Sequence, residues 1–246
     1  MENYDFIFGF RSIIEAINNG KNIDKIYIKK STNSEQSSEL MSLAKLCEIT
    51  VQHVPLEKLN RITLKNHQGV IAIISPVPFY KVEDIVQEVF ESGRLPFFIV
   101  LDNITDMRNF GSIVRTAECV GIDAVIIPSR GSALISGDAV KTSSGALMKV
   151  PVCKSDNLLQ TVKYLQNSGI SIVACTEKAS EPLFKAELNN PIAVIVGSEY
   201  EGISPDLLKV ADRLVEIPLY GTIESLNVSV AASVIMYEVV RQRNFI

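Results

Sequence analysis

Residues 217–240, Ile-Pro-Leu-Tyr-Gly-Thr-Ile-Glu-Ser-Leu-Asn-Val-Ser-Val-Ala-Ala-Ser-Val-Ile-Met-Tyr-Glu-Val-Val, decide how the C-terminal half of the chain is read. Ile217 and Pro218 close an apolar run, Tyr220 and Gly221 break it, and from Leu226 onward no Gly or Pro interrupts a helical apolar pattern. The segment therefore reads strand, loop, helix. Thr222, Glu224, Ser225 and Asn227 gather in the loop, where they and the first free N–H groups of the helix can hold a small polar ligand. The same position suits an N-cap, and Ser225 or Asn227 would fill that role with no ligand at all. In the helix, Val228, Ala231, Ala232, Val234, Ile235, Met236, Val239 and Val240 cover more than one stripe. Such a helix is either central to a core or shared between the core and a second subunit.

Upstream, apolar runs recur at 97–101, 124–127, 170–174, 192–196 and 214–217, separated by helical segments. Near-continuous apolar strands joined by helices predict a parallel sheet with helices on both faces. Ligands of such sheets gather at the carboxyl ends of the strands. Polar clusters fall at those ends, at 102–111, 176–180, 197–204 and 218–227. Neither G-x-G-x-x-G, nor a phosphate-binding G-x-x-x-x-G-K-[ST], nor G-x-S-x-G occurs there, which disfavours a nucleotide-dependent oxidoreductase, an NTPase and a serine hydrolase.

The N-terminal part has a different pattern. A helix is expected over 4–19, strands over 25–30, 49–54 and 69–75, and further helices over 35–47 and between the last two strands. Pro76 and Pro78 punctuate its end. The expected organisation is a small α/β domain at 1–76, a linker helix at 77–93 and a larger α/β domain at 94–246.

Composition excludes several classes. No apolar run is long enough to span a membrane and the first residues include Glu2 and Asp5, so a cytoplasmic protein is expected. Four scattered cysteines and two histidines, His53 and His67, give no metal-ligand spacing. Net charge is −4, and residues 1–80 carry nine Lys or Arg against eight Asp or Glu, so any nucleic-acid surface must be local.

Three segments, 102–117, 194–204 and 217–232, together resemble the SpoU family of RNA ribose 2′-O-methyltransferases in the SPOUT superfamily. Gly145-Ala146 and His67-Gln68-Gly69 also fit, so the resemblance covers nearly the whole chain; Met107 departs from the proline common there. The resemblance implies a C-terminal deep trefoil knot, an N-terminal RNA-binding domain of the ribosomal-protein L30e type, S-adenosylmethionine as methyl donor, no metal, and a homodimer packed through the knot and last helix. It implies catalytic roles for Asn109, Arg115, Glu199, Ser225 and Asn227, and a cofactor pocket at Thr176, Gly197, Ile217 and Leu226. Arg115, always protonated, is expected to stabilise charge on the ribose oxygen; a structural pairing with Glu118 or Glu199 is the alternative. Glu199 is expected to orient Arg115 or the ribose, and Asn109 to hold its loop. Arg11, Lys65, His67 and Arg108 are candidate RNA contacts. The implied substrate is a guanosine of large-subunit (23S) ribosomal RNA, favoured by the N-terminal domain and by the lack of a C-terminal basic extension. A tRNA guanosine methyltransferase, or a catalytically silent RNA-binding factor of the same fold, is the alternative.

Overall fold

The computed structural model describes residues 5–30, 32, 34–198 and 200–245. The chain divides into two compact units, Met1–Pro78 with Leu134–Asp138, and Phe79–Ala133 with Ala139–Ile246.

In the first unit the strands are β1 (Phe6–Phe8), β2 (Ile23–Lys29), β3 (Thr50–Val54) and β4 (Val70–Ile74), and the helices are α1 (Phe10–Asn18), α2 (Glu35–Leu46) and α3 (Leu56–Ile62). The sheet order is β1-β4-β2-β3; β4 runs antiparallel to both neighbours, and β2 and β3 are parallel. Alternation along β4 separates two cores. Val70 and Ala72 face Phe10, Ile13 and Ile14 of α1 and Leu40 of α2, while Ile71 and Ile73 pack with Val54 and Leu59, against which Leu134 also packs. The expected single helix over 4–19 is instead a strand and a helix. Phe6–Phe8 pair with Ile71–Ile73, and Gly9, at φ 86°, turns the chain into α1 in a conformation that few other residues adopt. His67 is buried: its Nδ1 accepts from the Gly69 N–H at 3.0 Å and its Nε2 lies 3.0 Å from Asn60 Oδ1. It shapes the turn before β4 and is not an exposed RNA contact.

The second unit begins with α4 (Val82–Glu91) and alternates β5 (Phe97–Asp102), α5 (Met107–Val120), β6 (Ala124–Pro128), α6 (Gly137–Thr142), β7 (Val152–Ser155), α7 (Leu158–Asn167), β8 (Ser171–Cys175), β9 (Glu181–Pro182), β10 (Ile192–Gly197), α8 (Pro205–Val210), β11 (Arg213–Glu216) and α9 (Val228–Asn244). Its seven strands lie in the order β7-β6-β5-β10-β8-β11-β9, every neighbouring pair parallel. The five expected strands are present, and β7 and β9 are additional: β7 is four residues long and carries Lys154, and β9 is a two-residue edge. Residues 79–93 do not form a linker. Val82, Ile85, Val86 and Val89 of α4 sit in the same buried cluster as Phe98, Val100, Ala124 and Ile126, and that burial binds the helix to the second unit. Among the described residues no helix is long and apolar enough to cross a membrane.

Helix α9 starts at Val228, two residues later than Leu226, because the Asn227 side chain accepts from the Ser229 N–H and caps it. It buries Val228, Ala232, Ile235, Met236 and Val239, yet leaves Val230 and Tyr237 about half exposed. Its last turns are pinned by polar contacts. Arg243 donates to the carbonyls of Leu95, Pro96 and Asn190 at 3.0, 2.8 and 2.5 Å, and Gln242 joins Leu188 N and Ala186 O. The buried Glu238 carboxylate receives two hydrogen bonds from Arg241, at 2.7 and 2.8 Å, and one from Gln242. The Arg241 hydrogen bonds hold its carboxyl below the usual carboxylate range. A carboxyl so lowered stabilises the fold above its unfolded value and loses that contribution as pH falls. Glu238→Gln is therefore expected to lower stability at neutral pH by about 1–2 kcal/mol. Denaturant titrations of parent and variant should begin to converge below pH 4.5 and meet once pH has fallen through the lowered folded-state value, where the parent's carboxyl is itself protonated.

Candidate active site

The carboxyl ends of β5, β8, β10 and β11 lie at one edge of the parallel sheet, and their loops build the site. Asp102, the last residue of β5, is almost fully buried. Its Oδ2 accepts from the Ser204 N–H at 2.6 Å and from the Ser204 hydroxyl, and its Oδ1 accepts from Asn103 at 3.2 Å. The loop after β10 is thereby tied to the start of the loop after β5. Within the former, Ser198 and Gly202 pair through both backbone N–H groups, at 3.2 and 2.9 Å, and the Ser198 hydroxyl accepts from the Glu201 N–H at 3.1 Å. This tight hairpin folds back on Gly197: a Cβ there would lie 2.1 Å from the Gly202 carbonyl carbon, so only glycine fits. Gly202 itself sits at φ 70°.

A cleft of about 370 Å³ opens between these loops. Its walls come from the end of β8 (Cys175, Thr176, Glu177), the β10 hairpin (Gly197, Ser198, Gly202) and the segment entering α9 (Glu224, Ser225, Leu226). An adjoining recess of about 90 Å³ adds Ile217 and Leu219. Thr176 is buried, with its N–H donated to Val215 O at 2.9 Å and its Oγ1 accepting from the Lys178 N–H at 3.3 Å. Burial pushes the Cys175 thiol up to about 12, with Glu177 adding to the effect. Among the described residues lining the cleft, Glu177, Glu201 and Glu224 stand against one cation, Lys178. Among the described residues no group of His, Cys, Asp and Glu is placed to hold a metal ion.

Five of the nine site residues expected from the sequence, Thr176, Gly197, Ile217, Ser225 and Leu226, line this cleft and its recess. Asn109 and Asn227 meet beside it: Asn227 Nδ2 donates to Asn109 Oδ1 at 3.0 Å, joining the first turn of α5 to the cap of α9. Asn109 lies in the first turn of α5, which Asp106 caps by accepting from the N–H groups of Arg108 and Asn109. Arg115 is on the exposed face of α5, makes no hydrogen bond or ion pair with a described residue, and is not among the residues walling the cleft. Its proposed structural partner Glu118 is bound instead by Lys149 at 2.9 Å. Glu199 lies outside the described residues. The sequence gives no role to Asp102, Ser204, Glu177 or Tyr200. The Asp102–Ser204 bond spans 102 positions, which no local pattern reveals, whereas Gly202 within the 194–204 segment is a visible signal of a tight turn.

Known proteins bear on this arrangement. Residues 96–237 match the SpoU rRNA Methylase family, and residues 6–80 match the domain described as RNA 2′-O ribose methyltransferase substrate binding. YacO of Bacillus subtilis (strain 168), named as a TrmH family tRNA/rRNA methyltransferase, is 33% identical over 243 residues, covering 99% of this chain and 98% of its own. Among solved structures, the SpoU methyltransferase AviRb from Streptomyces viridochromogenes in complex with AdoMet is 24% identical, with TM-score 0.60 over 97% of this chain and 90% of that one. The A. aeolicus TrmH/SpoU tRNA modifying enzyme is 32% identical, with TM-score 0.56 over 65% of this chain and 83% of that one.

The geometry makes two outcomes measurable. Gly197→Ala should cost about 1–3 kcal/mol of stability by forcing the hairpin off β10, seen as a lowered denaturation midpoint. Alkylation with iodoacetamide at pH 8, followed by mass spectrometry, should label exposed Cys47 and Cys119 and spare buried Cys153 and half-buried Cys175, whose thiols are both raised to about 12.

Proposed function

Because the chain belongs to the SpoU rRNA methylase family, we propose that it is a cytoplasmic S-adenosylmethionine-dependent enzyme that methylates the ribose 2′-hydroxyl of a guanosine in large-subunit ribosomal RNA. The observation that carries the reading is the meeting of three strand-end loops around one cleft, with the Asn109–Asn227 pair at its side. The cleft suits the cofactor on its own chemistry. It is within the size range of small-molecule sites, offers main-chain edges at Gly197 and Gly202 and apolar contact from Ile217 and Leu226, and has a carboxylate excess that tolerates a positively charged ligand. When bound, S-adenosylmethionine supplies an electrophilic methyl group.

The chain's own residues then have distinct tasks. Thr176, Gly197, Ile217 and Leu226 hold the cofactor, Ser225 and Asn227 organise the turn over it, and Asn109 fixes Asn227. Arg115 balances negative charge as the ribose oxygen is deprotonated. Glu199 orients Arg115 or the ribose.

The second unit is proposed to carry a deep trefoil knot, and the first to be an L30e-like RNA-binding domain; residues 6–80 match the substrate-binding description. A homodimer accounts for two features together: α9 keeps Val230 and Tyr237 exposed, and Arg115 adjoins Thr116, whose hydroxyl is 3.0 Å from Ser233 of the same helix. Packing α9 against a second copy would cover the apolar residues and bring Arg115 to the partner's cleft. A tRNA substrate is the second reading, favoured by the tRNA modifying enzyme at 32% identity and by relatives named for both RNAs.

Ribose-methylation mapping of total RNA from a strain lacking the gene decides between the two RNAs. Loss of one 2′-O-methylguanosine from large-subunit ribosomal RNA is expected; loss from tRNA gives the second reading, and an unchanged map overturns both. Arg115→Ala should reduce methyl transfer by at least about 100-fold while isothermal titration returns the parent affinity for S-adenosylmethionine. Normal turnover in that variant removes Arg115 from the mechanism.

A further inference from the structure

Tyr200 and Tyr220 are 98% and 97% exposed, the highest values among the large apolar side chains described. Tyr200 is at the tip of the 198–202 hairpin and lines the cleft directly; Tyr220 follows Leu219, which lines the recess, and opens the run 220–227, every residue of which is exposed.

The described residues flanking Tyr200 are braced. Gly197 packs against the Gly202 backbone, Ser198 and Gly202 pair twice, Ile203 is buried, and Ser204 is held by Asp102. An aromatic ring on so fixed a support, with no covering side chain, loses little conformational entropy on binding a flat partner. Charge limits what that partner offers. The cleft residues Glu177, Glu201 and Glu224 outnumber Lys178, so RNA phosphates are repelled from this lip. A base presents a neutral face, and stacking on an aromatic ring suits any base.

We propose, resting on the methyltransferase reading above, that Tyr200 and Tyr220 are stacking platforms for RNA bases at the mouth of the cleft, gripping the strand beside the ribose to be methylated. Phosphate contacts are then left to basic residues elsewhere on the chain. The two tyrosines set how tightly the acceptor strand is held.

The chain has no tryptophan, so Tyr200→Trp introduces a lone reporter indole. Adding a short oligoadenylate should quench its fluorescence. With total RNA from the deletion strain as substrate, Tyr200→Ala should raise the KM for RNA roughly 5- to 100-fold, an effect larger than any on kcat or on S-adenosylmethionine affinity. Tyr200→Phe should restore the parent KM, because the ring and not the hydroxyl stacks. Tyr220→Ala should act in the same direction, with the salt dependence of RNA binding keeping its slope.

An unquenched indole, a parent-like KM in both alanine variants, or a phenylalanine variant as weak as alanine would overturn the proposal. So would conversion to monomer by Tyr220→Ala in light scattering, for Tyr220, since a second copy of the chain would then be its partner. A parent protein that methylates no RNA removes the functional reading alone and leaves quenching by oligoadenylate to decide the stacking.

Discussion

A buried carboxylate organises the working edge of this protein. Asp102 ends β5, an interior strand of the sheet, and removing a charged group from water there is costly unless every strong acceptor site is used. Ser204 answers with its N–H and hydroxyl, and Asn103 with its amide. The bond fixes the far end of the β10 hairpin to the strand that neighbours β10 in the sheet. Without it, the hairpin would keep its Ser198–Gly202 and Ser198–Glu201 bonds, but the segment leaving it at Ser204 would lose its tie to β5. The cleft is therefore built from backbone pinned by side chains, which suits a ligand read through main-chain edges.

A second set of anchors works at the opposite end of the sheet. Arg243 and Gln242 fasten the last turn of α9 to the segments preceding β5 and β10, while Asn227 fastens its first turn to Asn109 of α5. A helix held at both ends cannot slide along its axis. Because Ser225 and Leu226 directly precede the Asn227 cap, their place in the cleft follows from where the helix is stopped. Helix position and cleft shape are thus one constraint.

The parallel sheet was legible in the sequence because β5, β6, β8 and β10 are covered on both faces and so read as unbroken apolar runs. The first strand was not: three residues, Phe6–Phe8, give too few positions to tell period 2 from period 3.6, and their identity as a strand depends on Ile71–Ile73, far along the chain. Helix α4 was misread as a linker for a related reason. Its apolar stripe of Val82, Ile85, Val86 and Val89 was visible, but which unit it covers depends on a surface that forms only when β5 and β6 pair.

The same distinction applies to the site. The stretches 176–180, 197–204 and 218–227 could be picked out because each lies at the carboxyl end of a strand, and strand ends in a parallel sheet meet in space whatever their separation in sequence, while the resemblance to the SpoU family picked Thr176, Gly197 and Leu226 within them. Asp102 escaped because a carboxylate at a strand end reads equally as a solvated turn residue; only the arrival of Ser204 makes it a buried clamp. Arg115 marks the other boundary of such reasoning. One chain exposes it on α5 beside α9, and the half-exposed Val230 and Tyr237 leave that helix with an apolar surface to cover. Site residues that a chain supplies to itself are governed by its own sheet topology. A residue supplied across a two-fold contact is governed by the surface that contact buries, and in the proposed dimer that surface would be the half-exposed Val230 and Tyr237 of α9, beside which α5 carries Arg115.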